Sequence, residues 1–358
     1  MEQEVLSIAL GVDISKDSLS VCLCFLGLDL TKGYEPGGDL PNNKQGFNQL
    51  DKWLVKHGVD KSLLNVVLEA TGVYHESFAY HMHTEGYRVC IMQSGRVKRY
   101  AQSLDQRSKT DALDSRMLSM LGSERKLTSW TPPSESMQSL RFLSRERADL
   151  IKERTVEKNR SHAKDIAHFK SSKSTSRYKK RMKLLNIQIS EIEDEMESLI
   201  SLDKQLKKKI TYLTSIPGVS TTTATIIIAE TCGFALFTNA KQLVSYCGFD
   251  VVLKESGSYK GQTRISKKGN KHIRAALYMP ALTALRLNPT LKTFYERLKP
   301  KKAKPIVAVV AVQRKLLVLM YSLWKTEMFY DPEHEQKKAA RAEALTAQDR
   351  NKNELVTS

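Results

Sequence analysis

The sequence predicts three successive parts: an α/β domain, a pair of long helices, and a mainly helical C-terminal domain. Three observations carry this. Over residues 1–130, short β-favouring runs alternate with segments of helical spacing. Gly and Pro then almost disappear from 134 to 210, where apolar residues recur every three or four positions. Beyond 211, helical apolar runs resume around one basic loop rich in Gly and Ser, and a polar, charged tail follows from 331 to 358. The expected boundaries are therefore 1–130, 131–210, 211–330 and a flexible tail over 331–358.

Composition sets the class of partner. The chain has 358 residues, 41% of them hydrophobic, enough for two or three folded parts. A formal net charge of +18, spread along the chain, points to a polyanion, with nucleic acid as the first candidate. A membrane is not expected, because no apolar run reaches spanning length and even Ile306–Met320 is interrupted by Gln313, Arg314 and Lys315. Met1-Glu2-Gln3-Glu4 lacks the basic start of a secretory signal. Cys22, Cys24, Cys90, Cys232 and Cys247 show no zinc spacing and read as reduced core residues of a cytoplasmic protein.

Taken in order, Leu6 to Asp13 and Leu19 to Leu26 read as strands joined by a tight turn at Ser15-Lys16-Asp17. Lys32 to Gly46, rich in Gly, Pro and Asn, reads as a loop, and Phe47, Leu50, Trp53, Leu54 and Val55 mark a helix after it. Leu63 to Glu69 is a nearly continuous apolar run, as in a strand buried on both faces, and it ends in a carboxylate as the first strand does. A helix over Tyr74–Glu85, a strand over Tyr87–Met92 and a basic segment with Arg96, Lys98, Arg99, Arg107 and Lys109 follow. Asp111 and Asp114 then stand three apart at a helix start, so they share a face.

Any one of these acids serves equally well as a helix cap or turn former. Asp13, Glu69, Asp111 and Asp114 together form the pattern of an RNase H or RuvC-like fold. There, carboxylates from neighbouring strands and a helix hold one or two Mg2+ ions beside a reacting phosphate.

Pro132-Pro133 ends the first domain. Met182, Leu185, Ile189, Ile192, Met196 and Leu199 alternate steps of three and four, continued by Leu206 and Ile210, which is a coiled-coil seam. With a second arm from Met137 to Phe169 and a polar tip at Ser171–Ser176, this predicts a helical hairpin that pairs protomers or bridges domains. Lys179, Lys180, Arg181 and Lys183 suit either a phosphate backbone or solvent. Leu213 to Ser220, with Ile216-Pro217-Gly218 at its centre, resembles a helix-hairpin-helix but reads equally as an ordinary turn between helices. The loop from Lys254 to Lys271 has the make of one that lies on a sugar-phosphate backbone, with Arg264, Lys267, Lys268 and Lys271, and with Arg274 in the helix after it.

The segments GVDISK, LEATGVY, SKTDALDSRML, SIPGV, KQLVSYCGF, ESGS and RISKKGNKHIRAALYMPAL, in that order, resemble the DEDD-type transposases of the insertion-sequence family numbered one-hundred-ten, relatives of the Piv invertases. The resemblance implies that Asp13, Glu69, Asp111 and Asp114 are the metal-binding acids of a RuvC-like domain and that Ser256 is the nucleophile of a C-terminal transposase domain. It implies recombination of donor and target DNA through a phosphoserine, guided by a non-coding bridge RNA. It also implies a dimer or tetramer whose composite sites set the acids of one protomer against the serine of another. Gly248-Phe249-Asp250-Val251 departs from the Gly-Leu-x-Pro frequent in relatives. Two other readings of the residues stay open. One is a RuvC-like nuclease that hydrolyses junction DNA with the acids alone, and the other is a non-catalytic scaffold.

Overall fold

The computed structural model describes residues 5–70, 72–105, 108–169, 171–253, 255–261, 263–302, 304–334 and 337. The chain divides into two compact units, residues 1–132 and 133–358. Arg107 and nearly all of the expected tail lie outside the described residues.

Unit one is a five-stranded sheet with helices on both faces. Its elements are β1 (Val5–Ile14), β2 (Ser18–Gly27), β3 (Lys32–Pro41), α1 (Lys44–Lys56), β4 (Leu64–Glu69), α2 (Glu76–Thr84), β5 (Arg88–Met92), α3 (Ser94–Ser103) and α4 (Asp111–Glu124). The spatial order is β3-β2-β1-β4-β5. The β1, β4 and β5 strands run parallel, and β2 and β3 are antiparallel additions. The segment expected to be a loop from Lys32 is instead edge strand β3. Its Gly and Pro are accommodated there because an outer strand leaves one row of N–H groups unpaired. The register slips between Val21 and Cys22, where Val21 faces Gly38 and Cys22 faces Pro36, so Gly37 is the bulged residue.

Side-chain alternation assigns the two faces. Leu10, Val12, Val66, Leu68 and Val89 are buried in one core with Phe47, Leu50, Leu54, Phe78 and Met82 of α1 and α2. The opposite face carries Ala9, Gly11, Cys22, Cys24 and Val67, small for a sheet centre, and α4 lies on it. A Cβ on Gly11 would sit 1.9 Å from the Ser115 carbonyl oxygen and 2.2 Å from the Ser119 nitrogen. A Cβ on Gly122 would meet Val67 at 2.5 Å and Ala9 at 2.8 Å. Helix backbone thus rests directly on strand backbone, and Ser115, Ser119 and Ser123 turn their hydroxyls back to carbonyls of their own helix.

Unit two comprises α5 (Glu135–Ile166), α6 (Ser172–Leu202), α7 (Lys204–Thr214), α8 (Thr221–Glu230), α9 (Ala240–Tyr246), β6 (Val251–Val252), β7 (Glu255–Ser256), β8 (Tyr259–Lys260), β9 (Arg264–Ile265), α10 (Lys271–Ala276), α11 (Tyr278–Leu287), α12 (Pro289–Leu298) and α13 (Pro305–Thr326). Helices α5 and α6 pack antiparallel, tied by Arg147–Glu193, Arg154–Asn186 and Arg181–Glu157. The seam residues Leu185, Ile189, Ile192 and Met196 are buried within the chain, and Ile200 continues them rather than Leu199. The turn is earlier than expected, because Ser171 accepts from the Ser174 amide and caps α6, which takes the polar stretch into helix. The base of this pair, Leu140, Leu143, Ile192, Met196 and Ile200, shares one core with the helices that follow, so 131–210 is not a separate body.

One further expectation is corrected, that no apolar run reaches spanning length, and one turn is defined. Gly218, at φ +100°, would bring a Cβ to 2.8 Å from the Ala284 nitrogen of α11. The turn between α7 and α8 is therefore seated on α11 through this glycine, while Pro217 and Gly218 stay partly exposed. Helix α13 is, by length and composition, apolar enough to cross a membrane. Val312, Leu316, Leu317 and Met320 nevertheless lie at the centre of the unit-two core, and buried Gln313 donates to the Arg274 carbonyl.

Replacing Gly11 with Ala must push α4 off the sheet. We expect a loss of about 2–4 kcal/mol in urea unfolding, at the upper end of overpacking because both obstructing atoms are backbone. Gly33→Ala, where nothing lies within 4 Å of the added Cβ, should cost less than about 1 kcal/mol.

Candidate active site

The close seat of α4 brings the acids together. Along β1, Ala9, Gly11 and Asp13 lie on one face, and α4 runs past them so that Gly122 meets Ala9 and the Ser115–Ser119 turn meets Gly11. The next step along β1, roughly 6.8 Å for two residues, corresponds to four or five helical residues, about one turn. This reaches the turn that carries Asp111 and Asp114. On the neighbouring parallel strand Val12 pairs with Leu68, so Glu69 lies beside Asp13, on the same face as Val67. Thr110 fixes the start of α4 by accepting from the Leu113 amide.

The electrostatics record the convergence. Asp13 is pushed up to about 6, first by burial and then by the charges of Asp114, Asp111 and Glu69, with Lys109 opposing. The Lys109 ammonium is 3.9 Å from an Asp114 carboxylate oxygen, but its side chain is 88% exposed, so it offsets the cluster only weakly. Four carboxylates with no thiol or imidazole among them suit a hard divalent cation. Among the described residues, no three or more His, Cys, Asp or Glu side chains are gathered closely enough to hold an ion as they stand. The four acids thus share a field centred on Asp13 without forming a closed cage.

In unit two, Ser256 sits in a two-residue ladder, where it pairs with Tyr259 across a turn at Gly257, whose φ is +56°. Ser256 and Tyr259 are both exposed. Arg264, Lys267, Lys268 and Lys271 are exposed along the rest of the loop. Arg274 is differently placed, because its guanidinium donates to the carbonyls of Cys247, Gly269 and Asn270 and so ties down the loop's exit. Arg99 is exposed on α3.

Glu230 is a residue that sequence reading passed over. It ends α8 1% exposed, and it accepts from Arg145 at 2.7 and 2.9 Å and from Asn270 at 2.7 Å. Burial alone would raise it, but the Arg145 fork and Asn270 outweigh that and hold it below the ordinary 4.5. Asn270 in turn caps α10 through the His272 and Ile273 amides. Its signal in the sequence was a lone carboxylate closing the apolar run Ala224–Ala229.

Comparison with known proteins gives a consistent result. A DEDD-type transposase model matches residues 10–164, which contain all four acids, and the model described as the transposase IS116/IS110/IS902 family matches residues 210–296, which contain the Ser256 loop. The chain is 28% identical to the pilin gene-inverting proteins of Moraxella lacunata and Moraxella bovis over 334 residues, 90% of this chain and 97% of theirs. It is 24% identical to the insertion element IS110 uncharacterized 43.6 kDa protein of Streptomyces coelicolor over 119 residues, 33% of this chain and 29% of that one.

Two outcomes follow from these environments. Because Asp13 binds its proton more tightly folded than unfolded, its ionisation destabilises the fold as pH rises from about 4 to 6. Asp13→Asn in EDTA should therefore be more stable than wild type by on the order of 1–2 kcal/mol at pH 7.5, after discounting for partial exposure. The gap should close by pH 4 in thermal unfolding. Glu230→Ala should have the opposite profile, with a loss of about 2–4 kcal/mol at pH 7 that shrinks as pH falls below the ordinary carboxylate range, where the native pair itself is lost.

Proposed function

The chain belongs to the IS110 family of transposases, proteins that act on DNA, and from that premise we propose that it cuts and rejoins donor and target DNA through a covalent phosphoserine at Ser256. The supporting observation is the convergence of Asp114, Asp111 and Glu69 on half-buried Asp13. Like charges gathered that way cost stability unless a cation offsets them. In this reading Asp13, Glu69, Asp111 and Asp114 hold Mg2+, which supplies a Lewis acid that stabilises charge on the phosphate.

The chain's own groups do the rest. The Ser256 hydroxyl oxygen attacks phosphorus as one ester bond of the strand breaks, its proton passes to a carboxylate or water, and the expelled sugar oxygen is protonated. Rejoining is the reverse step with the hydroxyl of the new strand, which regenerates Ser256. Arg264, Lys267, Lys268 and Lys271 neutralise backbone beside the serine, while Arg99, Arg107 and Lys109 do so on the unit that carries the acids. A bridge RNA selects donor and target by base pairing, in the bacterial cytoplasm. The working assembly is a dimer or tetramer, with the acids of one protomer serving the serine of another. The buried α6 seam is used within the chain, so coiled-coil pairing between protomers would fall to the outer face of α6, where Tyr178, Met182 and Ile187 line a shallow concavity of about 530 Å3.

Ser256→Ala should form no protein–DNA adduct on a nicked or cruciform substrate in denaturing gels. Asp111→Asn should lose cleavage by at least about 100-fold while holding DNA within about threefold of wild-type affinity, the pattern of a group used in the chemical step. An adduct in the serine variant, or wild-type cleavage that leaves no adduct, would overturn the phosphoserine and favour hydrolysis. RNA that co-purifies with the protein should contain loops complementary to both DNA partners.

A further inference from the structure

A cavity of about 320 Å3 opens on the α3 side of unit one, and Met92, Leu121 and Tyr100 form its inner wall. All three are nearly buried, at 5%, 3% and 6% exposed. Its rim is Arg96, Arg99 and Arg125, with Ser103 beside them. The local cause is simple: Arg96, Arg99 and Ser103 are spaced three and four apart on α3 and share a face, and Arg125 follows the end of α4.

Among the described residues no carboxylate lines this space. Glu124, beside Arg125 in the chain, is already engaged, since it accepts from the Tyr100 hydroxyl at 2.6 Å and pairs with Lys32. Burial first, and then that hydrogen bond and the Glu124 charge, keep Tyr100 protonated as its donor. The Arg125 guanidinium lies 5.3 Å over the Tyr100 ring, which holds it toward the rim. Three guanidiniums, always charged and bearing planar forks of donors, therefore face one small space over an apolar floor. Groups of that kind repel one another unless an anion sits between them, and a phosphate is the anion their geometry fits. The volume is at the low end for ligand sites and admits about one nucleotide. A base already paired in a duplex cannot enter such a recess, whereas an unpaired one can stack on its wall. The site is separate from the acids, since Arg125 and Asp111 are at opposite ends of α4, about 20 Å apart along its axis.

We infer that this arginine-rimmed cavity binds one nucleotide of a single-stranded segment, with the phosphate among Arg96, Arg99 and Arg125 and the base or sugar over Met92 and Leu121. The inference rests on the nucleic-acid partner of the proposed function and not on its chemistry. The strand is DNA or RNA, and two arms separate these.

The full-length protein is titrated with fluorescein-labelled single strands of 12 nucleotides, one DNA and one RNA of the same sequence, from 50 to 300 mM salt. The double variant Arg96→Gln/Arg99→Gln should bind at least one strand about 10-fold more weakly at 100 mM salt, with a log–log salt slope shallower by about 1.4 for two lost contacts. Unchanged affinity and slope on both strands would overturn the inference. Wild-type protein is also crosslinked to the same strands carrying 4-thiothymidine or 4-thiouridine, which needs no variant to fold. Adducts should map to Met92–Ser103 or Leu121–Arg125, and adducts confined to other segments would sink the site. Crosslinking with DNA alone assigns the cavity to the substrate, and with RNA alone to the guide. In Asp111→Asn, lost chemistry with the crosslink intact leaves the cavity standing. Wild-type recombination with no crosslink in these segments counts against the cavity alone.

Discussion

The structure of unit one depends on how near α4 comes to the sheet. Most helices stand off a sheet by the depth of their side chains, but here Gly11 faces helix backbone directly and Gly122 sits against the side chains of Val67 and Ala9. That approach is helped by the small residues along the line of contact, Ala9, Cys22 and Cys24 on the strands and Ser115, Ser119 and Ser123 on the helix. The approach also buries apolar surface, since Met117, Leu118 and Leu121 of α4 share a core with Val67, Cys90 and Met92 of the sheet. It sets two consecutive acids of one helical face against the ends of two parallel strands, a placement that longer side chains would open by several ångströms.

The second constraint is electrostatic and runs against the first. Packing that delivers four carboxylates to one sheet edge also accumulates their repulsion, and Asp13, half-buried among the other three, registers it. Unit two resolves a comparable problem in the opposite manner. Glu230 is more deeply buried, yet Arg145 and Asn270 satisfy both its oxygens and keep it ionised. One carboxylate is therefore a finished structural joint, whereas the other four share a field that raises Asp13. That contrast is what supports the proposed metal-binding role of the four.

Much of this was legible in the sequence. Alternating apolar runs marked β1, β2, β4 and β5 because each is either half-buried with period two or buried on both faces, and Asp111 and Asp114 marked a helix start. What escaped was decided by tertiary pairing. Strand β3 has the composition of a loop and is held by β2 rather than by its own preference. The polar stretch after Ser171 became helix because α5 offers it a surface and Ser171 a cap. The acids were legible as a set, but the close seat of α4 that gathers them depends on Gly11 and Gly122, whose role no pattern of charges reveals. Arg274 looked like its basic neighbours, and only its three carbonyl partners distinguish it from them.

The Ser256 loop is built unevenly from end to end. Near its exit, Ser266 binds Asp250, the Lys267 amide reaches the Gly248 carbonyl, and a Cβ on Gly269 would come to 2.2 Å from the Tyr246 oxygen. At its far end, Gly257 has nothing within 4 Å of an added Cβ, and Ser256 and Tyr259 are exposed. The loop is thus a stiff stalk with an editable head. Around Gly257 the fold sets no steric limit on an added side chain, whereas at Gly269 it admits none. Changes beside Ser256 can therefore be absorbed at little cost to unit two, while the path of the loop's exit is fixed by its own packing.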